Sequence, residues 1–349
     1  MLMTIMLSAP RGPPSVASWR AAWFQLIEDG KLCSTSSVDE RRVRYGLCFE
    51  EGEVREFCTD EQGVSLQLRA SHVQVGPYDA TLRANRALRP AAAPKLGELP
   101  EHDELICSFC TGPLRLAARP MVAQSLVAQT GRCWDVHFNI SPMEPLGHFL
   151  LVPEIELPEN RRPQRLTLAD CVDLVHIGRA CNGELCINYN SPLAGASQNH
   201  LHAHAWAIPT PYSLCAARAE ASVALPGGVD AAILAWPASV LRLRGAAAEE
   251  VGAAVYALCS LEPVHNVAIV GDDTFVFVRS AEGEVSPSVP DLKIGTIQLL
   301  GRFVVDSAEQ LEAAAMPGAI ESAMRDTRAT TPLPELLTLL AERLQARDP

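Results

Sequence analysis

Gln198-Asn199-His200-Leu201-His202-Ala203-His204-Ala205-Trp206 sets three histidines two residues apart, with small or apolar residues between them. A two-residue period is the pattern of a β-strand, whose successive side chains point to opposite faces. The spacing predicts that His200, His202, His204 and Trp206 share one face, while Leu201, Ala203, Ala205 and Ala207 enter the core behind it. Each imidazole carries two ring nitrogens that are costly to bury without partners, so a row of three marks a site and not a packing solution. Two chemistries use such a row. Neutral imidazoles two apart can converge on one metal ion that keeps an open position for catalysis. Alternatively, the middle imidazole attacks phosphorus while its neighbours orient it and donate to phosphate oxygens.

The lead-in to the row, Asn188-Tyr189-Asn190-Ser191-Pro192-Leu193-Ala194-Gly195-Ala196-Ser197, is turn-rich and small, and its amides and hydroxyls suit an anion better than a metal. Upstream, His137-Phe138-Asn139 and His148-Phe149-Leu150-Leu151-Val152 read as strands joined by a turn through Met143 to Gly147. A helix is predicted from Thr167 to Cys181. Thr167 and Asp170 form a capping box, Cys171, Leu174, Val175 and Gly178 share a face, and Asn182-Gly183 stops it.

This order of strand, strand, helix, small-residue loop and H-x-H-x-H strand resembles the histidine-triad superfamily, which also contains the galactose-1-phosphate uridylyltransferases and dinucleoside tetraphosphate phosphorylases. The closer resemblance is to the GDP-hexose phosphorylases, meaning the GDP-L-galactose and GDP-D-glucose types. It rests on FNISPMEPLGHFLLVPE (138–154), RPQRLTL (162–168), INYNSPLAGASQNHLHAHAW (187–206) and AWPASVLRLRG (235–245), with WRAAWFQLIEDG (19–30) like the family's first helix. The stretch 138–206 is the specific part.

That resemblance implies that His202 is the nucleophile and His200 its strand neighbour. His204 stands where plant members have Gln and where hydrolases of the superfamily have His. A third histidine can give a proton to a leaving oxygen, which keeps a nucleotide or nucleotide-sugar hydrolase beside the phosphorylase. His148 matches the superfamily's Gly-His before an apolar strand, Asn139 falls near a nucleotide contact, and Ser197 matches a phosphate-contacting Ser. Asn190, Gly195 and Gln198 complete the expected substrate-binding set. The plain alternatives are that Asn139 caps a turn, His148 is a satisfied core histidine and Ser197 closes a loop.

Composition fits an enzyme of small molecules. The 349 residues allow about two domains, and 48% hydrophobic residues allow a sizeable core. A net charge of −12 argues against a general nucleic-acid role, because phosphate-backbone binding leans on a basic surface. The 11 cysteines are odd in number and lack a regular framework, which reads as buried thiols in a reducing compartment. Residues 1–27 hold two Arg and no acid, a faint organellar pattern, but Trp19–Ile27 reads better as the first helix, and Met1–Leu7 is too short to span a membrane. No membrane span is expected, and the cytoplasm is the expected location.

Cys107-Ser108-Phe109-Cys110 invites a structural zinc. The uridylyltransferases hold one with a C-x-x-C and two histidines, which here would use Cys107, Cys110 and His200. No His falls in 155–165 for the fourth ligand, and a closed site wants four. Metal ligands are therefore not assigned, and no cofactor is expected for the chemistry.

In the second half, His265–Val270, a Gly271-Asp272-Asp273 turn and Thr274–Arg279 echo 137–152, with Lys293-Ile294-Gly295 following in place of a histidine row. The stretches 216–255 and 77–100 read as connections, and Pro332–Arg347 as a surface helix with Leu336, Leu337, Leu340 and Leu344 on its apolar face. The fold expected is α+β, histidine-triad-like, with two pseudo-repeated halves and a largely antiparallel sheet flanked by helices. The halves are expected at 1–245, catalytic, and 246–349, non-catalytic. The expected reaction is phosphorolysis of GDP-D-glucose or GDP-L-galactose, with a GDP-sugar and inorganic phosphate as partners and a guanylyl-His202 intermediate. Outside enzymes, the alternative is a metal-binding β-fold using His200, His202 and His204.

Overall fold

A helix and five strands open the chain: α1 (Val16–Glu28), β1 (Cys33–Val38), β2 (Arg41–Glu50), β3 (Glu53–Asp60), β4 (Ser71–Val75) and β5 (Tyr78–Leu82). This computed structural model describes residues 15–38, 41–60, 62–63, 71–83, 101–111, 115–116, 121–128, 130–139 and 142–346. Residues 1–14, with the apolar Met1–Leu7, and most of the Pro-rich stretch 77–100, from 84 on, lie outside them.

The body follows: β6 (Met121–Val127), β7 (Cys133–Phe138), β8 (His148–Pro153), α2 (Leu168–Ala180), β9 (Leu185–Asn190) and β10 (Ala203–Ala207). A second set repeats it as β11 (Ala219–Leu225), β12 (Val229–Leu234), β13 (Val240–Arg244), α3 (Ala248–Leu261), β14 (His265–Val270) and β15 (Asp273–Val278). These form one sheet in the order β11-β12-β13-β15-β14-β9-β10-β8-β7-β6. Every pairing in it is antiparallel. The chain ends with α4 (Thr296–Leu299), β16 (Arg302–Val305), α5 (Ala308–Ala315), α6 (Ala319–Asp326) and α7 (Leu333–Gln345).

Each half is three strands, a helix and two more strands, and the halves meet where β9 pairs with β14. The strand order makes β15, with Thr274, Phe275, Val276 and Phe277, the counterpart of the histidine strand. This corrects the expected echo, which aligned β14 and β15 with 137–152. It also corrects the expected division after 245, because β11 to β13 belong to the second half. The stretch 216–255 is therefore strands and a helix, not a connection. Its alanines, such as Ala231 and Ala232, are buried on both faces of β12 and hide the alternation that marks a half-buried strand.

One sheet face carries the helices. Trp19 and Trp23 of α1 meet Phe149 of β8 edge-on at 5.7 and 5.5 Å, and Leu336, Leu337, Leu340 and Leu344 bury the expected face of α7. The predicted capping box of α2 is present at Thr167 and Asp170. Gly178 lets α2 lie directly on β14, since a Cβ there would sit 2.4 Å from Ile269 Cγ2. The other face carries the site on the first half, while β16 and its neighbours cover the second. No helix among the described residues is long and apolar enough to cross a membrane.

Candidate active site

Ala203, Ala205 and Ala207 face the helices with Leu201, as the two-residue period requires. The strand itself begins only at Ala203, so His200 and His202 stand on backbone that has left the sheet. In place of a strand partner, the chain segment 162–164 runs alongside. Leu201 N donates to Arg162 O at 2.9 Å. The fully buried Gln164 completes the pairing. Its Oε1 accepts from His202 N at 2.9 Å, and its Nε2 donates to His202 O at 3.0 Å and to Asn190 O at 2.9 Å. One amide thus does the work of three ladder bonds at the point where β9 and β10 separate.

His202 Nδ1 lies 2.7 Å from the His200 carbonyl. A carbonyl only accepts, so Nδ1 carries the proton and the lone pair of the ring is on Nε2. Burial drives the His202 pKa down to about 4 against the opposing pull of that carbonyl, so the ring is neutral at pH 7. Phe109 packs edge-on against it at 5.1 Å and His204 at the same centroid distance.

His204 pairs with Leu150 of β8 and Asn188 of β9, and His137 of β7 pairs with Leu150, so His137, Leu150, His204 and Asn188 form one row across the sheet face. His148 is fully buried beside them. Its Nδ1 accepts from Met143 N at 2.9 Å and its Nε2 is 3.0 Å from His204 Nδ1. Asn139 Nδ2 is 3.3 Å from His148 Nε2, and its backbone N donates to His148 O at 2.8 Å.

The expected substrate set divides. His148 and Asn139 sit at the histidine row, and half-buried Ser197 and Gln198 lie on the loop that leads into it. Asn190 has a structural partner set of its own. Its Oδ1 takes Asn266 Nδ2 at 2.6 Å, Thr296 Oγ1 at 2.6 Å and Thr296 N at 3.1 Å, binding the lead-in loop to the second half. Gly195 (φ +95°) is pressed against the same region, where a Cβ would stand 3.0 Å from Gly295 Cα. Asn190 and Gly195 therefore fix the loop's position.

His200 turns away from the row into a second cluster. His102, Cys107, Cys110 and His200 bring one ligand atom each to within 4.8 Å of one another. His200 Nδ1 is 3.6 Å from Cys107 Sγ, 3.4 Å from Cys110 Sγ and 3.2 Å from His102 Nε2, and Cys110 Sγ is 3.6 Å from His102 Nε2. Ligands on a tetrahedral zinc, with bonds of ~2.0–2.3 Å, are themselves ~3.3–3.8 Å apart, so this donor set fits that ion. The His102 ring also bonds the Arg161 main chain, the outer partner a ligating imidazole needs. The candidate for a fourth ligand, His102, thus lies before the C-x-x-C and not in 155–165. Burial lowers the pKa of His200 to about 3, lowers that of His102 as well, and raises that of the Cys110 thiol to about 12.

Sequence reading missed His102, Gln164 and His137. A Cys/His count around Cys107 would have found the first. For Gln164, the only signal is a polar residue in the quoted RPQRLTL stretch.

A sheet duplicated about β9 and β14, with the histidine row on the first half, has an α+β, histidine-triad-like fold. The chain matches the structure of yeast Ap4A phosphorylase Apa2 in complex with Ap4A with a TM-score of 0.56 and 16% identity, over 92% of this chain and 100% of that one. The same enzyme in complex with AMP gives 0.50 and 17%, over 75% and 89%. In sequence, 200 residues are 28% identical to GDP-L-galactose phosphorylase 1 of Arabidopsis thaliana, 53% of this chain. The match spans 44% of that protein's length. No protein-family model matches. The proteins it is similar to are thus nucleotide phosphorylases.

Proposed function

We propose that this chain is a nucleotide-sugar phosphorylase that acts on a GDP-hexose through a covalent nucleotidyl-His202. The observation that carries the reading is the 2.7 Å bond from His202 Nδ1 to the His200 carbonyl, which leaves Nε2 of a neutral, buried ring as the nucleophile. Nε2 attacks the α-phosphorus, the N–P bond forms, and the bond to the bridging oxygen breaks so that hexose 1-phosphate leaves with the electron pair. Inorganic phosphate then attacks the same phosphorus, the N–P bond breaks, and GDP departs as Nε2 recovers its lone pair. Dividing one displacement into two lets a single nitrogen serve as nucleophile and leaving group. The proton stays on Nδ1, donated to the His200 carbonyl, and that carbonyl supports the positive ring of the intermediate. Amides of the 195–199 loop would hold the phosphoryl oxygens.

The guanine base and the hexose rest on the sequence similarity to the GDP-L-galactose phosphorylase. The fold likeness to an Ap4A phosphorylase supports nucleotidyl transfer to phosphate with a different leaving group, a dinucleoside polyphosphate reading that the same assay tests. The three imidazoles of the row have separate partners, the cysteine cluster, the His200 carbonyl and His148, which disfavours a single metal held by the row.

His102, Cys107, Cys110 and His200 would hold a structural zinc. Bound there, the ion supplies a closed cross-link between segment 101–110 and the backbone that carries the His200 carbonyl. The experiment is product analysis with GDP-D-glucose, GDP-L-galactose and Ap4A, with and without phosphate. Phosphate-dependent GDP and hexose 1-phosphate support the proposal. GMP in saturating phosphate would mean a hydrolase, and turnover of Ap4A alone would move the reading to dinucleotides.

A further inference from the structure

The bond from the Met143 amide to His148 determines more than the pose of one ring. A backbone N–H only donates, so His148 Nδ1, 2.9 Å away, must offer a lone pair. His148 is then neutral with its proton on Nε2. That N–H stands 3.0 Å from His204 Nδ1, which must accept it. The same N–H requires the oxygen side of the Asn139 amide to face it, an orientation that hydrogen bonding and not atom positions decides. A second proton on His204 Nδ1 would oppose two N–H groups across 3.0 Å, and relieving that clash would cost the Met143 bond.

We infer that the Met143 amide and His148 hold His204 as a neutral imidazole with its proton on Nε2, a hydrogen-bond donor and not a general acid, so that the site takes substrates whose leaving group departs unprotonated. His148 is therefore a positioning residue that acts through His204. This rests on the proposed function and narrows it. A phosphate monoester is a weak base, with a second pKa of about 6, and leaves as an anion supported by a hydrogen bond. An amine or a simple alcohol needs a proton in the transition state, and a neutral His204 is not the acid to give it. The substrate class is pyrophosphate-linked nucleotides, with nucleoside phosphoramidates and alkyl esters excluded. His204 then does what a glutamine amide N–H could do in its place.

The test is ring-nitrogen NMR of the full-length protein carrying 15N-histidine, with His204 assigned by its loss in His204→Gln. At neutral pH, correlations from the ring carbon protons should show an unprotonated Nδ1 and a protonated Nε2 on His204. In His148→Phe the single tautomer should give way to an exchanging mixture, and nucleotidyl-enzyme formation should slow by about tenfold, the worth of one hydrogen bond. His148→Gln, whose amide can accept from Met143 and donate to His204, should restore the single tautomer. An imidazolium, or a proton on Nδ1, in the wild type overturns the inference, as does a His204 spectrum unchanged in His148→Phe. Rapid cleavage of a guanosine 5′-phosphoramidate also overturns it. The spectrum needs no substrate, so a correct tautomer without turnover of any GDP-hexose would refute the proposed function and leave the relay standing.

Discussion

Replacing Gln164 by Met keeps the shape of a fully buried side chain and removes its bonds to His202 N, His202 O and Asn190 O. Each such bond contributes a net ~1 kcal/mol, and buried groups left unsatisfied cost ~1–3 kcal/mol, so the loss is about 3 kcal/mol or more. At ~2.1 cal/mol/K of unfolding entropy per residue over 349 residues, that lowers Tm by about 4 °C. The catalytic effect should be larger than a fold merely loosened would give. His202 would be left held by its ring bond to the His200 carbonyl while its own backbone drifts, and a displacement of about 1 Å costs about a hundredfold in rate. Thermal melts and rapid-quench measurement of labelled enzyme from α-labelled substrate read the two effects separately. A fall in Tm with an unchanged labelling rate would refute the idea that Gln164 positions the nucleophile. An unchanged Tm would refute the three bonds themselves.

Other outcomes follow from the same geometry. His204→Gln should retain phosphorylase activity within about tenfold, measured as GDP release, because an amide N–H replaces a ring N–H; complete loss at every pH would make His204 an essential acid. Asp170 is fully buried against Arg132 and Arg162. Burial works to raise its pKa, but the bonds and charge of Arg162 and the Thr167 contacts outweigh it and hold the pKa below the ordinary value. A depressed folded pKa contributes stability above the unfolded value, about 3.9, that is lost as pH falls through the folded one. Asp170→Asn should therefore lose ~2–4 kcal/mol at pH 7 by denaturant melts, with the gap to wild type closing below about pH 4. Metal analysis should find one zinc per chain, with His102→Ala and Cys110→Ser each reducing it and lowering Tm; full occupancy in both variants would dismiss the four-ligand site.

The local features were legible because their causes are local. The period of the histidine row placed Leu201, Ala203, Ala205 and Ala207 behind the site, and Thr167 with Asp170 marked the start of a helix that is there. What the sequence hid depends on distance along the chain. His102 meets His200 across 98 residues, and Thr296 takes the Asn190 side chain from 106 residues away, so neither partner shows in any window around the motif. The end of the strand at Ala203 is set by Gln164, whose bond to His202 spans 38 residues, and by no breaker in the row itself. The repeat was misaligned for a related reason. Its second copy keeps the topology but fills the histidine positions with Phe275, Phe277 and their neighbours, so residue type points to the wrong pair of strands.

The most direct test of the account is the fate of label on His202. With GDP-hexose labelled at the α-phosphorus and no phosphate, the wild type should hold up to one acid-labile label per chain on His202, chased into GDP when phosphate is added, while His202→Ala should bind nucleotide and take up none. Label taken up by His202→Ala, or steady GDP release with none on the wild type, would contradict a covalent nucleotidyl-histidine.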